Sequence, residues 1–224
     1  MLLYRLPKRL KPLLYRSIKW YYRKARNITK RGIKLKLLPT VFHPTFYLST
    51  DILLDYVLTL EVAEKSILEL GCGNGFISLY LAKFKQANVS ASDINPTAIE
   101  GIQFNAQQNQ VAIQTFTSNL FDDIPAGLVF DFILVNPPFY AEKVTQVDEY
   151  AFFAGAELEY FEKCFAQMLL QVKSGSIPLM ILSENVPLKR IKTIAQQRNL
   201  ELLTVHQQQS NNEFFFIYQV QPAN

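Results

Sequence analysis

From Lys65 onward, apolar positions fall into two alternating rhythms. Short unbroken apolar runs of strand length are followed by stretches whose apolar residues recur three and four apart, as on one face of a helix. The runs SILEL (66–70), NVSASD (88–93), VAIQTF (111–116), FDFILVN (130–136) and SIPLMILS (176–183) predict strands. FISLYLAKF (76–84), PTAIEGIQFNAQQN (96–109), ELEYFEKCFAQMLLQV (157–172) and PLKRIKTIAQQR (187–198) predict the helices between them. Asn95-Pro96 gives the second of these helices its start, because proline suits the first helical turn. LELLTVHQQQ (200–209) and NEFFFIYQV (212–220) predict two closing strands, joined by the polar turn Ser210-Asn211-Asn212. Strands that are apolar throughout belong to a sheet covered on both faces, and alternation with helices makes that sheet parallel. The expected fold is therefore α/β, a seven-stranded, doubly wound and mostly parallel sheet whose last strand runs antiparallel.

Ahead of Lys65 the pattern changes. Ile52, Leu53, Val57 and Leu58 predict a helix starting near Thr50 as N-cap, after a loop marked by Pro39 and Pro44. Further upstream, Pro7 and Pro12 interrupt any helix, and the expected one runs from about Leu13 to Lys30, ending before Gly32. Charge separates this region from the rest. The net charge of +4 hides a division: residues 1–40 carry 13 of the 23 Lys and Arg and none of the 19 Asp and Glu. Residues 1–40 thus read as a basic, aromatic-rich helical arm, and 41–224 as an acidic catalytic domain. No apolar run approaches the roughly 18 residues of a membrane span. Cys72 and Cys164, with no paired spacing, argue against a disulfide framework or a zinc site and fit a reducing cytoplasm.

Candidate chemistry gathers at strand ends. Glu69-Leu70-Gly71-Cys72-Gly73-Asn74-Gly75 closes the first strand of the alternating region and opens a helix. A glycine-rich turn there suits a dinucleotide or mere close packing. Three features change that reading. The spacing is G-x-G-x-G. Glu69 stands two positions before Gly71, where it can meet a cationic amino-acid group. Asp93 ends the next strand, placed for charge-assisted bonds to a ribose diol, with Ile94 beside it to lie on an adenine face. On these residues the chain resembles the class I S-adenosylmethionine-dependent methyltransferases, with their Rossmann-like sheet, over about residues 40–220. The resemblance implies that Gly71, Cys72, Gly73 and Gly75 line the methionine part of S-adenosyl-L-methionine and that Asp93 holds the ribose hydroxyls. Where that family often has an Asp reaching the adenine amino group, this chain has Asn119, whose amide oxygen can accept the same bond.

The second site lies at Val135-Asn136-Pro137-Pro138-Phe139-Tyr140. Two prolines stiffen the backbone and withhold two N–H donors. The Asn136 side-chain oxygen and the Pro137 carbonyl can then converge on one amine, and Phe139 supplies a face for a planar acceptor. This motif resembles that of the amino methyltransferases, in particular the small-domain RNA guanine and adenine enzymes and the release-factor glutamine enzymes. The resemblance implies methyl transfer to an sp² amino nitrogen, with Asn136, Pro137 and Phe139 at the reacting centre and Asn136 also bordering the cofactor. RNA is the leading acceptor, and a protein glutamine the alternative. A non-catalytic, cofactor-dependent RNA-binding module is a third reading, opposed by the intact Asn136–Phe139 segment. For the arm, an RNA backbone, an anionic membrane surface and packing on the acidic body remain three separate readings, RNA first. His206 reads as structural, Asp122 and Asp123 as solvated turn residues, and Glu157 and Glu159 as a solvated helix face.

Overall fold

A computed structural model describes residues 24–41, 48–172 and 175–223. In chain order its elements are β1 (Arg26–Lys30), β2 (Ile33–Leu37), α1 (Leu48–Val57), β3 (Ser66–Leu70), α2 (Phe76–Lys85), β4 (Asn88–Asp93), α3 (Pro96–Asn109), β5 (Gln114–Thr117) and β6 (Phe132–Val135). A single 3₁₀ turn (Val147–Ala151), α4 (Glu159–Gln171), β7 (Ile177–Ser183), α5 (Leu188–Gln197), β8 (Leu200–Ser210) and β9 (Glu213–Pro222) complete it.

The seven strands β3–β9 form one sheet in the order β5-β4-β3-β6-β7-β9-β8. Strands β3 to β7 run parallel to one another, and β9 is antiparallel to both β7 and β8. Right-handed crossovers then put α2 and α3 on one face and α4 and α5 on the other, because the strand order reverses between β3 and β6. The central strands are apolar throughout because both faces are covered: Ile67, Leu68, Ile133, Leu134, Val135 and Leu179–Leu182 are all fully buried. At the far edge, His206 stacks on Tyr56 at 5.3 Å between centroids, which is a packing role.

The expected basic helix requires a correction. Over Arg26–Lys30 the chain is a strand, paired antiparallel with β2 through the turn Arg31-Gly32. Both turn residues have positive φ, 46° and 80°, the mirror-image turn that matches the twist of a two-residue hairpin. The stretch I-K-L-K-L explains the outcome: Ile33, Leu35 and Leu37 point inward and are buried, while Lys34 and Lys36 point out. The part of the expected helix over residues 13–23 lies outside the described residues. So does Pro44. The helix near Thr50 does form, but it begins at Leu48, so Thr50 sits within its first turn rather than capping it.

Two buried asparagines fasten the ribbon to the body. The Lys36 N–H donates to Asn105 Oδ1 at 2.7 Å and the Lys34 N–H to Asn109 Oδ1 at 3.0 Å. In return Asn105 Nδ2 donates to the Lys36 carbonyl at 3.3 Å, and Asn109 Nδ2 to the Lys34 carbonyl at 2.7 Å. Each amide therefore acts as one residue of a neighbouring strand. The spacing permits it: four helical residues rise about 6 Å, and two strand residues about 6.6 Å. Lys30 and Arg31 add ion pairs to Asp51 and Asp55 of α1. Among the described residues no helix is long and apolar enough to cross a membrane.

Replacing Asn105 by Ala strands a backbone N–H and weakens a carbonyl contact under cover, which costs about 2–3 kcal/mol. Denaturant unfolding should show that loss, and hydrogen exchange should show the Lys34 and Lys36 amides losing protection. Unchanged protection would mean that the ribbon is held by its apolar side chains alone.

Candidate functional site

The carboxyl ends of β3, β4, β5 and β6 open into one cavity of about 460 Å³. It lies at the reversal of strand order, where the loops after β3 and β6 diverge and leave a crevice. The glycine loop after β3, Asp93 and Ile94 after β4, Asn119 after β5, and Asn136 to Tyr140 after β6 all line it.

Glycine is required at Gly75 for two reasons. Its φ is +76°, and a Cβ there would come 2.3 Å from Ile102 Cδ1 of α3. The loop it ends is pinned by the end of β4. Gly71 and Cys72 donate their N–H groups to the Ser92 carbonyl at 2.8 and 2.9 Å, and the Gly73 N–H donates to Asp93 Oδ2 at 2.8 Å. The other Asp93 oxygen accepts the Asn95 N–H at 2.9 Å. Asn95 in turn caps α3, accepting from Thr97 N at 3.0 Å, and ties the chain ahead of α1 by donating to the Thr40 carbonyl at 3.2 Å. Asp93 thus shapes the loop and keeps spare lone pairs on a cavity-facing carboxylate.

Glu69 lies beneath the same loop and is 7% exposed. Its Oε2 accepts the Ser78 N–H at 3.0 Å and the Ser78 hydroxyl, so it satisfies one of the orphan donors in the first turn of α2. Burial pushes its carboxyl up from 4.5 to about 7, against the pull of the Ser78 bonds and with a small addition from Asp93. Burial raises Asp93 as well, opposed by the N–H groups of Asn95 and Gly73. Two desolvated carboxylates at one cavity favour a cationic occupant. Cys72 is buried in the loop, and burial lifts its thiol well above the ordinary range, so it fills space rather than attacking.

On the opposite wall, Asn136 Nδ2 donates to Thr50 Oγ1 at 3.2 Å. With Nδ2 turned to Thr50, Oδ1 is left as the acceptor toward the cavity. Pro137, Pro138 and Phe139 are buried behind it, with Phe139 9% exposed. The chain then doubles back. Tyr140 donates its N–H to the Phe152 carbonyl at 2.9 Å and accepts from Ala154 N at 2.7 Å, and its ring meets Phe153 edge-on at 6.4 Å. The loop so closed brings Lys143, Val147 and Tyr150 to the cavity, the last two about half-exposed.

The candidate residues from Glu69 to Phe139 border this one cavity, Asn119 as an exposed residue at its rim, with one exception: Gly75, expected to touch the cofactor, does not line it but turns the loop into α2 against Ile102. Sequence reasoning missed Thr50 as a partner of Asn136, and missed Tyr140, Tyr150 and Phe153. No period marks a loop closed by two backbone bonds. Asp122 is more than a solvated turn residue: it pairs with Lys163 and accepts from Gln167 Nε2 at 2.6 Å, and Lys163 holds its carboxyl below the usual range. Glu159 opens α4 at the cavity rim, while Glu157 is exposed and pairs with Arg190 at 2.6 Å.

Comparison with known proteins accords with this geometry. The methyltransferase small domain matches residues 32–163, a span that opens inside the β1–β2 ribbon. A putative protein N5-glutamine methyltransferase of Methanocaldococcus jannaschii is 34% identical over 151 residues, covering 65% of this chain and 74% of the relative. A ribosomal RNA small subunit methyltransferase C of Marinomonas sp. is 31% identical, covering 58% of this chain and 38% of the relative. Among solved structures, the T. thermophilus 16S rRNA N2 G1207 methyltransferase, in complex with AdoMet and guanosine, superposes with a TM-score of 0.61 at 16% identity. That superposition covers 88% of this chain and 50% of the other, and at this identity what is shared is the fold. The chain thus spans half or less of the rRNA enzymes it matches.

Two outcomes test the site. Between pH 4.5 and 7 the folded protein keeps a proton on Glu69 that the unfolded chain has released. Stability of the cofactor-free protein is therefore full below that window and falls as pH rises through it, by on the order of 3 kcal/mol. Glu69→Gln should make the fall shallower, with Asp93 supplying the remainder; thermal midpoints across the window measure this. Asp93→Ala should weaken S-adenosylmethionine binding by about 1.5–3 kcal/mol, roughly ten- to a hundredfold. Calorimetry giving parental affinity in a folded variant would remove Asp93 from the site.

Proposed function

The chain belongs to the methyltransferase small domain family, and from that membership we propose that it methylates an exposed amino nitrogen of an RNA base. As a family member it is an S-adenosylmethionine-dependent N-methyltransferase with a Rossmann-like sheet. The cavity fits that cofactor. Glu69, Asp93, Ile94, Asn119 and the Gly71–Gly75 loop would hold it, two desolvated carboxylates facing its cationic and ribose parts. When bound it supplies an electrophilic methyl group.

The observation that carries the reading is the Asn136–Thr50 hydrogen bond. An exocyclic amine is a poor nucleophile because its lone pair is delocalised into the ring. An acceptor at Asn136 Oδ1 and the Pro137 carbonyl can each take one N–H and hold the nitrogen in place. As the nitrogen gains positive charge, both oxygens interact with it more strongly than in the ground state, which lowers the barrier. No base is needed before transfer, since the proton leaves the more acidic cationic product. Phe139 offers a flat apolar wall beside this position.

Three features support RNA over protein: aromatic lining from Phe139, Tyr140, Tyr150 and Phe153; Lys34 and Lys36 of the β1–β2 ribbon, which enter no ion pair among the described residues; and the basic composition of residues 1–40. Likeness to the M. jannaschii relative, over most of its length, favours the second reading, a glutamine side-chain amide. That amide presents the same planar NH₂ to the same two oxygens. Two free, buried cysteines accord with a cytoplasmic site of action.

Radiolabelled methyl transfer to total RNA and to total protein from a deletion strain decides between the two, with mass spectrometry identifying the modified nucleoside or residue. Asn136→Ala should leave cofactor affinity near the parent and cut turnover by about two to three orders of magnitude. Thr50→Val should lower turnover less, about tenfold, because the amide is misoriented rather than lost, and Thr50→Ser should restore it. Turnover surviving in Asn136→Ala would point to an oxygen or carbon acceptor.

A further inference from the structure

We propose that the outer face of the β1–β2 ribbon, flanked by the exposed rings of Phe84 and Phe104, is the track on which this protein holds single-stranded RNA beside the cavity. The inference rests on the RNA reading above and names the surface that reading needs.

The register of the hairpin sets the face. Asn27 lies opposite Lys36, and Thr29 opposite Lys34, so these four side chains share one side. The opposite side carries Ile28, Leu35 and Ile33, which pack into the core. The outer face is thus cationic and hydrogen-bonding, without apolar residues of its own. Its charges are available. Lys30 and Arg31 are neutralised by Asp51 and Asp55, whereas Lys34, Lys36 and Lys83 enter no ion pair among the described residues.

An aromatic ring stands at each end of this face. Phe104 of α3 is 45% exposed and lies under the Lys36 ammonium at 4.5 Å. Phe84 of α2 is 47% exposed, with its ring against the hairpin turn, where a Cβ on Gly32 would come within 3.1 Å of it. Lys83 reaches the same turn, 3.5 Å from the Gly32 carbonyl. The exposed positions of α3 alongside are Gln103, Gln107 and Gln108, with Glu100 the one acid there.

This surface leads to the cavity. β2 is about 16 Å long at about 3.3 Å per residue. Three residues beyond its end, Thr40 and Val41 line the cavity wall, held by Asn95. Phosphates on Lys34 and Lys36, with bases stacked on Phe104 and Phe84, would pass a strand along the ribbon toward Asn136. Stacked bases and spaced cations are what unpaired RNA requires. A membrane surface would require a continuous apolar face, and the apolar residues of this ribbon are buried.

The test uses the full chain and a fluorescein-labelled, unstructured RNA 20-mer, read by anisotropy across a salt series. Lys34→Glu combined with Lys36→Glu should raise Kd at least about tenfold at low salt. It should also make the log–log salt slope shallower by about 1.4, two single-strand phosphates at about 0.7 each. Phe104→Ala should raise Kd about tenfold with the slope unchanged, since stacking releases no counterions. Cofactor affinity and thermal midpoint should stay parental in both variants, because Lys34 and Phe104 are exposed and the half-buried Lys36 packs on Phe104 rather than into the core. Parental RNA affinity and slope in the lysine variant would overturn the proposal. So would loss of binding to vesicles of phosphatidylcholine and phosphatidylserine, or to an acidic peptide, while RNA binding persisted. If the parent binds and methylates RNA while the variants bind as well, the track alone falls. If the parent binds no RNA, the track and the RNA reading fall together.

Discussion

Asp93 ends β4 one strand away from a loop that has no regular structure of its own, and its carboxylate gives that loop its shape. One oxygen takes the Gly73 N–H and the other the Asn95 N–H, so a single side chain joins the end of β3 to the start of α3. Its neighbour Glu69 performs the matching task beneath, tying β3 to the first turn of α2 through Ser78. Parallel strands place these two acids side by side at one sheet edge, where helix starts supply unpaired N–H donors. The site inherits both its geometry and its negative potential from these contacts. Burial works against the charge, and both carboxyls are raised as a result. A bound cation relieves that penalty, so the same feature that weakens the free protein favours the loaded one.

The wall across the cavity follows a different rule. Asn136 follows β6, but its amide is oriented by Thr50 of α1, a helix that precedes the alternating units altogether. An amide end can rotate by half a turn with little steric change, and the two orientations present opposite chemistry to a ligand. The Thr50 hydroxyl takes Nδ2 in the orientation that leaves Oδ1 free. Prolines at 137 and 138 hold the following backbone, and the contacts of Tyr140 with Phe152 and Ala154 return the chain to the cavity mouth. Reactivity in the cavity therefore depends on an element far away in sequence.

Charge is organised at the same scale. The acidic body would repel a polyanion, and the ribbon is where the basic segment is fixed to that body. Asn105 and Asn109 act as a strand edge built from helix side chains, which leaves the outward lysines free of structural duties. Acids of α1 neutralise the two cations nearest the turn, so the remaining positive face lies along β2.

Much of this was written in local patterns. Strand and helix periods placed β3 to β9 and α2 to α5 within a few residues, because each element's burial depends on its own repeat and on covered faces. Glycine spacing, the acid ending β4 and the Asn-Pro-Pro-Phe run marked the cavity, since those residue types have few other uses at strand ends. The ribbon was legible in I-K-L-K-L and Arg-Gly, but the density of cations around it concealed the alternation. Other features had no local signature. The Thr50–Asn136 bond joins residues 86 positions apart. Asn105 sits in a helix interior and Asn109 at the end of the same helix, where asparagine is a mediocre helix former, and their value appears only once β2 lies across them. The raised carboxyls of Glu69 and Asp93 arise from desolvation, a property of everything packed around them. The sequence by itself determined which groups stand at the sheet edge; the tertiary structure decided what each of them faces, because orientation and burial depend on neighbours that the chain brings together only on folding.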